Sequence, residues 1–511
     1  MALVLVGQVA ALDESGGPVT TRGRVFIGDD GLIDAVMGMN GGSPAGFSSA
    51  PTVDVGEAYV MPGLIDLHNH LGYNALSLWT EPKQKTPFLH HDSWTGAPTY
   101  KPRISWPAYV LINSEPEALL AYVQTRALVG GTTAVQGWPS ANREHGQLLR
   151  NIDTEKAGTN KNLILTSALT KTPTDLARVA QAESHGEGFI YHCAEGQHGS
   201  IVVREFADAA NAGCLRRTFI GIHCTSLSAA DWGRWATADA GAVVWSPFSN
   251  LWLYGQTTEV THAVERGVLL CLGSDWGPSG TKHVLGELKV AKLVNDSAGL
   301  GFSDEALVSA ITTNPGDVLQ RCWSRPIGRL RPGAFGDVTV LRSRGRGTFW
   351  ADVLAATERD VALVVVGGEP RYGDAPLMMA ANARPAGALT VAGIKRLLSI
   401  PDPQDPNKAW NWSDILARLE AVRKNPGDAL KRATHRRDGF AGQRSDPSAP
   451  LHLVLDMPDG GRTATAGPPP NPDQVVIPPI PSLEHDAAFF ASIRNSGFHG
   501  GLLDGLASFY S

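Results

Sequence analysis

The stretch MPGLIDLHNH, residues 61–70, sets His68 and His70 two residues apart at the end of an apolar run. In an extended strand residues i and i+2 face the same side, so both imidazoles can turn to one ion while Asn69 faces away. Imidazole nitrogens suit zinc, and a His-rich site completed by one carboxylate leaves a position open for water. A bound divalent ion lowers the pKa of that water to about 7, which makes a hydrolytic nucleophile available without a serine or cysteine. Further polar residues close apolar runs of their own: His192 and Glu195 follow FIY, His223 follows FIGI, and Asp275 follows VLLCLGS. A single histidine at a strand end is better explained as a satisfied core residue, but four strand ends delivering three histidine positions and an aspartate point to an ion. Glu195 is positioned to take a proton from the water and hand it to a leaving group. His223 can donate a hydrogen bond to developing charge, and Asp275 can bind the ion while accepting a proton. Their plainer readings are a helix-capping carboxylate, a core histidine and an N-cap aspartate.

For these residues to meet, the strands carrying them must converge. Between about residues 60 and 320, runs of β-formers alternate with helix-like stretches, the pattern of a parallel sheet. The strands are AYVMPGLIDL, GTTAVQG, NLILTSAL, GFIYHCA, FIGIHC, AVVWSP and VLLCLGSD. A closed (β/α)8 barrel needs one more, which the sequence leaves only in the polar segment 138–160, and it would gather its functional groups at the C-terminal rim of the strands. The fold expected is therefore α/β, a (β/α)8 TIM-type barrel over residues 60–319. Residues 1–59 and 320–374 alternate apolar and polar and predict a small β-sandwich assembled from both flanks, with MALVLVGQVAALDE as an edge strand because it lacks the basic start of a signal peptide. Residues 375–511 form a C-terminal extension. It holds a helix at SDILARLEAVRKN with Ser413 as N-cap, a polyproline-like linker at GPPPNPDQVVIPPIP, and a final segment that is a docking arm or a packed surface helix.

Composition narrows the partners. The 511 residues are 43% hydrophobic, enough for a large core, and the formal net charge of −6 with dispersed Lys and Arg excludes the basic excess a nucleic acid would attract. No run approaches a membrane span, and the mean hydropathy is −0.10. Five cysteines without CxxC spacing suggest neither disulfides nor a thiolate zinc knuckle, so a soluble protein of the reducing cytoplasm with a small-molecule substrate is expected. Assembly into a homo-oligomer is left open.

The set PGLIDLHNH, GGTTAV, YHCAEG, GIHC, SPFSNL and LGSDWGPS, followed by IGRLRPGAFGDVTVL, resembles the amidohydrolase superfamily. Within it the resemblance is to the cytosine, guanine and S-adenosylhomocysteine deaminases and the triazine hydrolases, over roughly residues 1–374. It implies one metal ion, zinc before iron or manganese, held by His68, His70, His192 and Asp275, with Glu195 and His223 as proton-transfer and polarising residues. It also implies that Ser249 and Asn250 shape the pocket, and it puts His90, His91 and Trp94 where substrate-facing residues lie. The activity implied is attack of the activated water on a C–N bond of a small heterocycle, by deamination or a related hydrolysis.

Two rival readings follow. Binuclear relatives that open cyclic amides or cleave acyl amino acids bridge two ions through a lysine after the fourth strand, and Lys171 follows NLILTSALT at that place. A barrel that lost its chemistry and serves as a scaffold is the non-enzyme reading, and it would lose its ligands first, whereas all of them are present here.

Overall fold

The computed structural model describes the chain apart from residues 1, 14–18, 140–147, 158, 160–162, 169–170, 239–240, 384–385, 404, 441–467 and 495. Short parallel strands form two sheets. One has five strands, Ile164–Ser167, Gly188–Cys193, Phe219–His223, Ala242–Trp245 and Leu269–Leu272, and the other has three, Leu64–Asp66, Thr132–Val135 and Arg150–Asn151. The two-residue strand Arg150–Asn151 is the one the sequence left hidden in 138–160. Its polar letters gave no alternation to read. Strands such as GFIYHC and FIGIH are buried along their whole length, the condition of a parallel sheet covered on both faces. Ile65, Ala134, Ile152, Ile164, Ile190, Ile220, Val244 and Cys271, one from each strand or the residue beside it, share a single apolar cluster.

Backbone bonds tie the two sheets where the histidine pair lies. Leu67 N–H donates to Leu272 O at 3.4 Å, Asp275 N–H to His68 O at 3.0 Å, and His70 N–H to Asp275 O at 3.1 Å. The first strand of the sequence reading splits at Gly63, where an added Cβ would lie 2.1 Å from Thr133 Oγ1. Before that point Thr52–Pro62 belongs to a flanking sheet, and after it Leu64–Asp66 belongs to the parallel one.

The flanks form one nine-stranded mixed sheet where a small sandwich was expected. The long strand Thr52–Pro62 pairs parallel with Leu3–Val9 on one side and antiparallel with Val338–Leu341 on the other, which fuses the two flanks edge to edge. Leu3–Val9 is therefore an interior strand, not an edge: it also pairs with Thr21–Ile27, and its alternate residues feed two cores, Leu3 and Leu5 on one face, Val4 and Val6 on the other. The sheet continues past Asp374 through Gly387–Val391 and Ile394–Leu398.

The extension packs onto the rest of the molecule. Helix Trp412–Lys424 starts after Asn411, whose backbone is extended, so Ser413 lies inside the first turn and is not the cap. Its Trp412 ring stacks on Tyr122 of helix Pro116–Val129, with centroids 5.9 Å apart. The proline-rich segment is no solvated linker, because Val475 and Ile477 are buried in the main core. Helix Ala487–Arg494 follows, with Phe489 and Ile493 buried. His485 is buried beside Glu358 and His283, which anchors this segment to the body of the protein. Among the described residues no helix is long and apolar enough to cross a membrane.

Candidate active site

His68, His70, His192, His223, Glu195 and Asp275 converge at the C-terminal ends of the parallel strands, all of them buried. His68 Nε2 stands 3.1 Å and His70 Nε2 3.6 Å from Asp275 Oδ1, and His70 Nε2 lies 3.1 Å from His192 Nε2. Two overlapping groups have the spacing to hold an ion, His68 with His70 and His192, and His68 with His223 and Asp275.

The donor set fits a divalent ion. Neither buried ring nitrogen of His68 makes a well-aligned hydrogen bond, Nε2 having the Asp275 carboxylate 3.1 Å away, an arrangement that costs free energy unless an ion completes it. His192 Nδ1 lies 3.1 Å from Ser167 O, and a carbonyl can only accept, so the proton sits on Nδ1 and Nε2 turns a bare lone pair to the cluster. Burial holds the His192 and His223 imidazoles well below their ordinary range and therefore neutral, the form in which a histidine ligates. Burial works to raise the Asp275 carboxyl, but His68, His223 and His70 together hold it below the carboxylate range.

His223 has a different environment. Asn250 Nδ2 donates to its Nδ1 at 3.1 Å, and the amide is oriented by Thr257, whose hydroxyl approaches Asn250 Oδ1 at 3.4 Å while accepting from Trp245 Nε1 at 2.6 Å. That puts the His223 proton on Nε2, which lies 3.7 Å from Glu195 Oε1. Burial pushes the Glu195 carboxyl up to about 7, against the lowering pull of His91 and the Tyr254 hydroxyl.

The backbone at the rim is strained where it presents these groups. His223 has φ 62° and Asp275 φ 60°, left-handed values that a side chain disfavours and that concentrate at functional sites. Gly137, at φ 90°, passes so close to the histidine strand that a Cβ there would sit 1.5 Å from Asn69 O. Asp66 supports the rim from below. It accepts from Ser274 N at 2.9 Å and from Asn69 Nδ2 at 3.1 Å, while Asn74 Nδ2 donates to Asn69 Oδ1 at 2.9 Å.

Other expected residues lie one step from the cluster. Trp94 is buried in the short helix His91–Thr95, its indole N–H on the Tyr254 hydroxyl at 2.7 Å and its ring 5.3 Å from Trp276. Ser249 Oγ is 3.0 Å from Ser279 Oγ. His91 pairs with Glu205 at 2.9 Å, and the carboxylates of Asp92 and Glu205 override burial to push it up to about 11. Lys171 donates its backbone N–H to the Tyr191 hydroxyl at 3.3 Å. Asp66 and Tyr254 escaped the sequence reading. Asp66 continues the alternation of His70 and His68, and Tyr254 stands four residues after Asn250 on one helix face.

A third group with the spacing for an ion, His283, Glu358 and His485, is closed by the protein's own hydrogen bonds. His283 Nε2 and His485 Nδ1 meet Glu358 Oε1 at 2.9 and 2.7 Å, while Gly286 N–H and Lys282 N–H donate to the remaining ring nitrogens at 3.3 and 3.1 Å.

No family model matches the chain. It is 24% identical over 395 residues to 5-methylthioadenosine/S-adenosylhomocysteine deaminase of Moorella thermoacetica, covering 69% of this chain and 90% of that protein. Among solved structures it resembles a zinc-bound adenosine deaminase from Xanthomonas campestris, at 16% identity and a TM-score of 0.59, over 84% of this chain and 98% of that one. It also resembles an atrazine chlorohydrolase variant from Arthrobacter aurescens crystallised with zinc and atraton, at 16% identity and a TM-score of 0.55, over 72% and 94% of the two chains. Together with the motifs and the buried histidine cluster, these likenesses support an amidohydrolase-superfamily, deaminase-like protein.

Proposed function

We propose that the protein hydrolyses a C–N bond of a small amino-substituted heterocycle, releasing ammonia, with one zinc ion held by His68, His70, His192 and Asp275. The observation that carries this reading is the pair of nitrogens His70 Nε2 and His192 Nε2, 3.1 Å apart, beside His68 Nε2 and Asp275 Oδ1, themselves 3.1 Å apart. The ion supplies Lewis acidity and a water whose pKa falls to about 7. Glu195 then acts on protons: its carboxylate takes one from the attacking water and returns it to the leaving nitrogen, and a group that titrates near neutrality does both readily. His223, with its proton on Nε2, donates to the charge that develops on the ring, and Asn250 keeps it in that tautomer. Asp275 would complete the ion's ligand set, and the second proton of the water, taken up by its carboxylate, would pass on to the ring nitrogen as the amine departs, so that product and ammonia both leave neutral. Trp276, whose ring lies 5.3 Å from both Trp94 and Tyr73, offers an aromatic wall beside His70 for a planar substrate, and Ser249 steadies that wall through Ser279.

In this reading the two parallel sheets are arcs of one (β/α)8 barrel over residues 60–319, a view supported by the apolar cluster to which every strand contributes. Residues 1–59 and 320–374 form the flanking unit and 375–511 an extension. A panel of amino-substituted purines, pyrimidines and triazines, with cyclic amides as the contrast, tests the reaction by ammonia release against ring opening. Metal analysis accompanies it. About one equivalent, unchanged in Lys171→Ala, fits the single-ion site, and about two equivalents with loss on that substitution overturns it in favour of a bridged pair.

A further inference from the structure

Glu195 and His223 both act in the proposed reaction, and one helix touches both. Pro247–Tyr254 carries Asn250, which donates to His223, and one turn later Tyr254, whose hydroxyl donates to Glu195 Oε1 at 2.6 Å. The direction of the second bond is fixed by a third residue. An indole N–H can only donate, so the Tyr254 oxygen must accept from Trp94 Nε1 at 2.7 Å, and its single proton is left for Glu195. The chain Trp94 to Tyr254 to Glu195 is buried throughout, where hydrogen bonds to a carboxylate are short and strong. The backbone around the carboxylate is clamped as well: His91 N–H donates to Glu195 O at 3.1 Å, and Ala194 N–H to Glu205 Oε2 at 2.9 Å.

We infer that Tyr254, oriented by Trp94, is a positioning residue that holds the Glu195 carboxyl at the place where it exchanges protons with water and leaving group. The inference rests on the proposed hydrolysis for its kinetic consequence, and on geometry alone for its structural one. It also assigns Trp94 a task other than substrate contact: its indole nitrogen is committed to Tyr254. Glu195 Oε1 is held by the tyrosine on one side and faces His223 Nε2 at 3.7 Å on the other. Among the described residues no other side-chain donor reaches the carboxyl within hydrogen-bonding distance, and a displacement of about 1 Å at such a group costs on the order of 10²-fold in rate.

The test uses the full-length zinc-loaded protein in five forms: wild type, Tyr254→Phe, Trp94→Phe, Glu195→Gln and the Glu195→Gln/Tyr254→Phe double variant. Crystal structures of the first three read the Glu195 carboxyl directly. In Tyr254→Phe it should move by about 1 Å or divide between two positions, with zinc content unchanged. With 5-methylthioadenosine as probe, Tyr254→Phe should lower kcat by about tenfold or more and leave KM within about threefold, because the substrate is bound as before. Trp94→Phe should fall between. In the Glu195→Gln background, Tyr254→Phe should cost nothing further, since the group it positions is already disabled. An unmoved carboxyl in Tyr254→Phe overturns the inference, as does a double variant whose losses multiply. If wild type releases no ammonia from the probe, the proposed reaction on it fails, and the crystal structures still decide the role of Tyr254.

Discussion

His70 Nε2 and His192 Nε2 face each other across 3.1 Å in a buried pocket. The His192 proton is drawn to Ser167 O, so a lone pair points at the neighbouring ring. A cation would take that lone pair together with His70 Nε2 and His68 Nε2, the latter 3.1 Å from Asp275 Oδ1. His192→Ala should therefore remove the bound metal and the activity together, read by metal analysis and ammonia release on one preparation. Full activity in a metal-free sample would refute the hydrolase assignment.

Glu195 is the group whose loss should separate binding from chemistry. Glu195→Gln keeps the size of the side chain and can still accept from Tyr254, but it no longer takes a proton. Metal content should stay the same while turnover drops by about 10² or more, the scale of general acid–base catalysis. Undiminished turnover would remove Glu195 from the mechanism.

Much of this centre was legible because strands speak through their ends. His68, His70, His192, His223 and Asp275 each follow an apolar run, and parallel strands, which bring their C-terminal ends to one side, need only their order. The supports were harder to see. Tyr254 ends an apolar helix and looks like core until its hydroxyl is placed against Glu195, and Arg150–Asn151 is a strand only because Thr132–Val135 offers it a partner. The flanks were misread for a related reason. Alternation announces strands but not which edges meet, so the fusion of both flanks through Thr52–Pro62 could not be told from a sandwich.

The C-terminal segment should prove integral to the fold. His499 stacks on Trp252 with centroids 6.1 Å apart, and Trp252 sits on the helix that carries Asn250 and Tyr254. His485→Ala empties the buried network around Glu358 and should cost about 1–3 kcal/mol of stability, measured by urea denaturation. Deletion of residues 468–511 should give insoluble or destabilised protein, because it exposes the surface that Val475, Ile477, Phe489 and Ile493 cover. A deletion product with wild-type stability and activity would make the segment a dispensable appendage.

Glu287 links this same region to pH. Its carboxyl accepts from Phe248 N–H at 2.8 Å and from the Thr281 hydroxyl at 2.7 Å, and burial pushes it up to about 8 against those two bonds. In the unfolded chain a glutamate titrates near 4.3. Between those two values the folded protein holds a proton that the unfolded chain has lost, so unfolding releases it and rising pH favours unfolding. The contribution of Glu287 is thus fully present below about pH 4 and declines as pH climbs toward about 8, by at most about 1.4 kcal/mol per unit. Glu287→Gln is neutral at every pH, and its amide can donate to the Thr281 hydroxyl, which in turn reaches His283 O at 3.2 Å. At fixed zinc concentration, urea midpoints of the variant should stay flatter than those of wild type between about pH 5 and 8, with the two curves separating as the pH rises. Parallel curves would mean that Glu287 is already ionised in the folded protein, and that the two donors at Phe248 and Thr281 outweigh its burial.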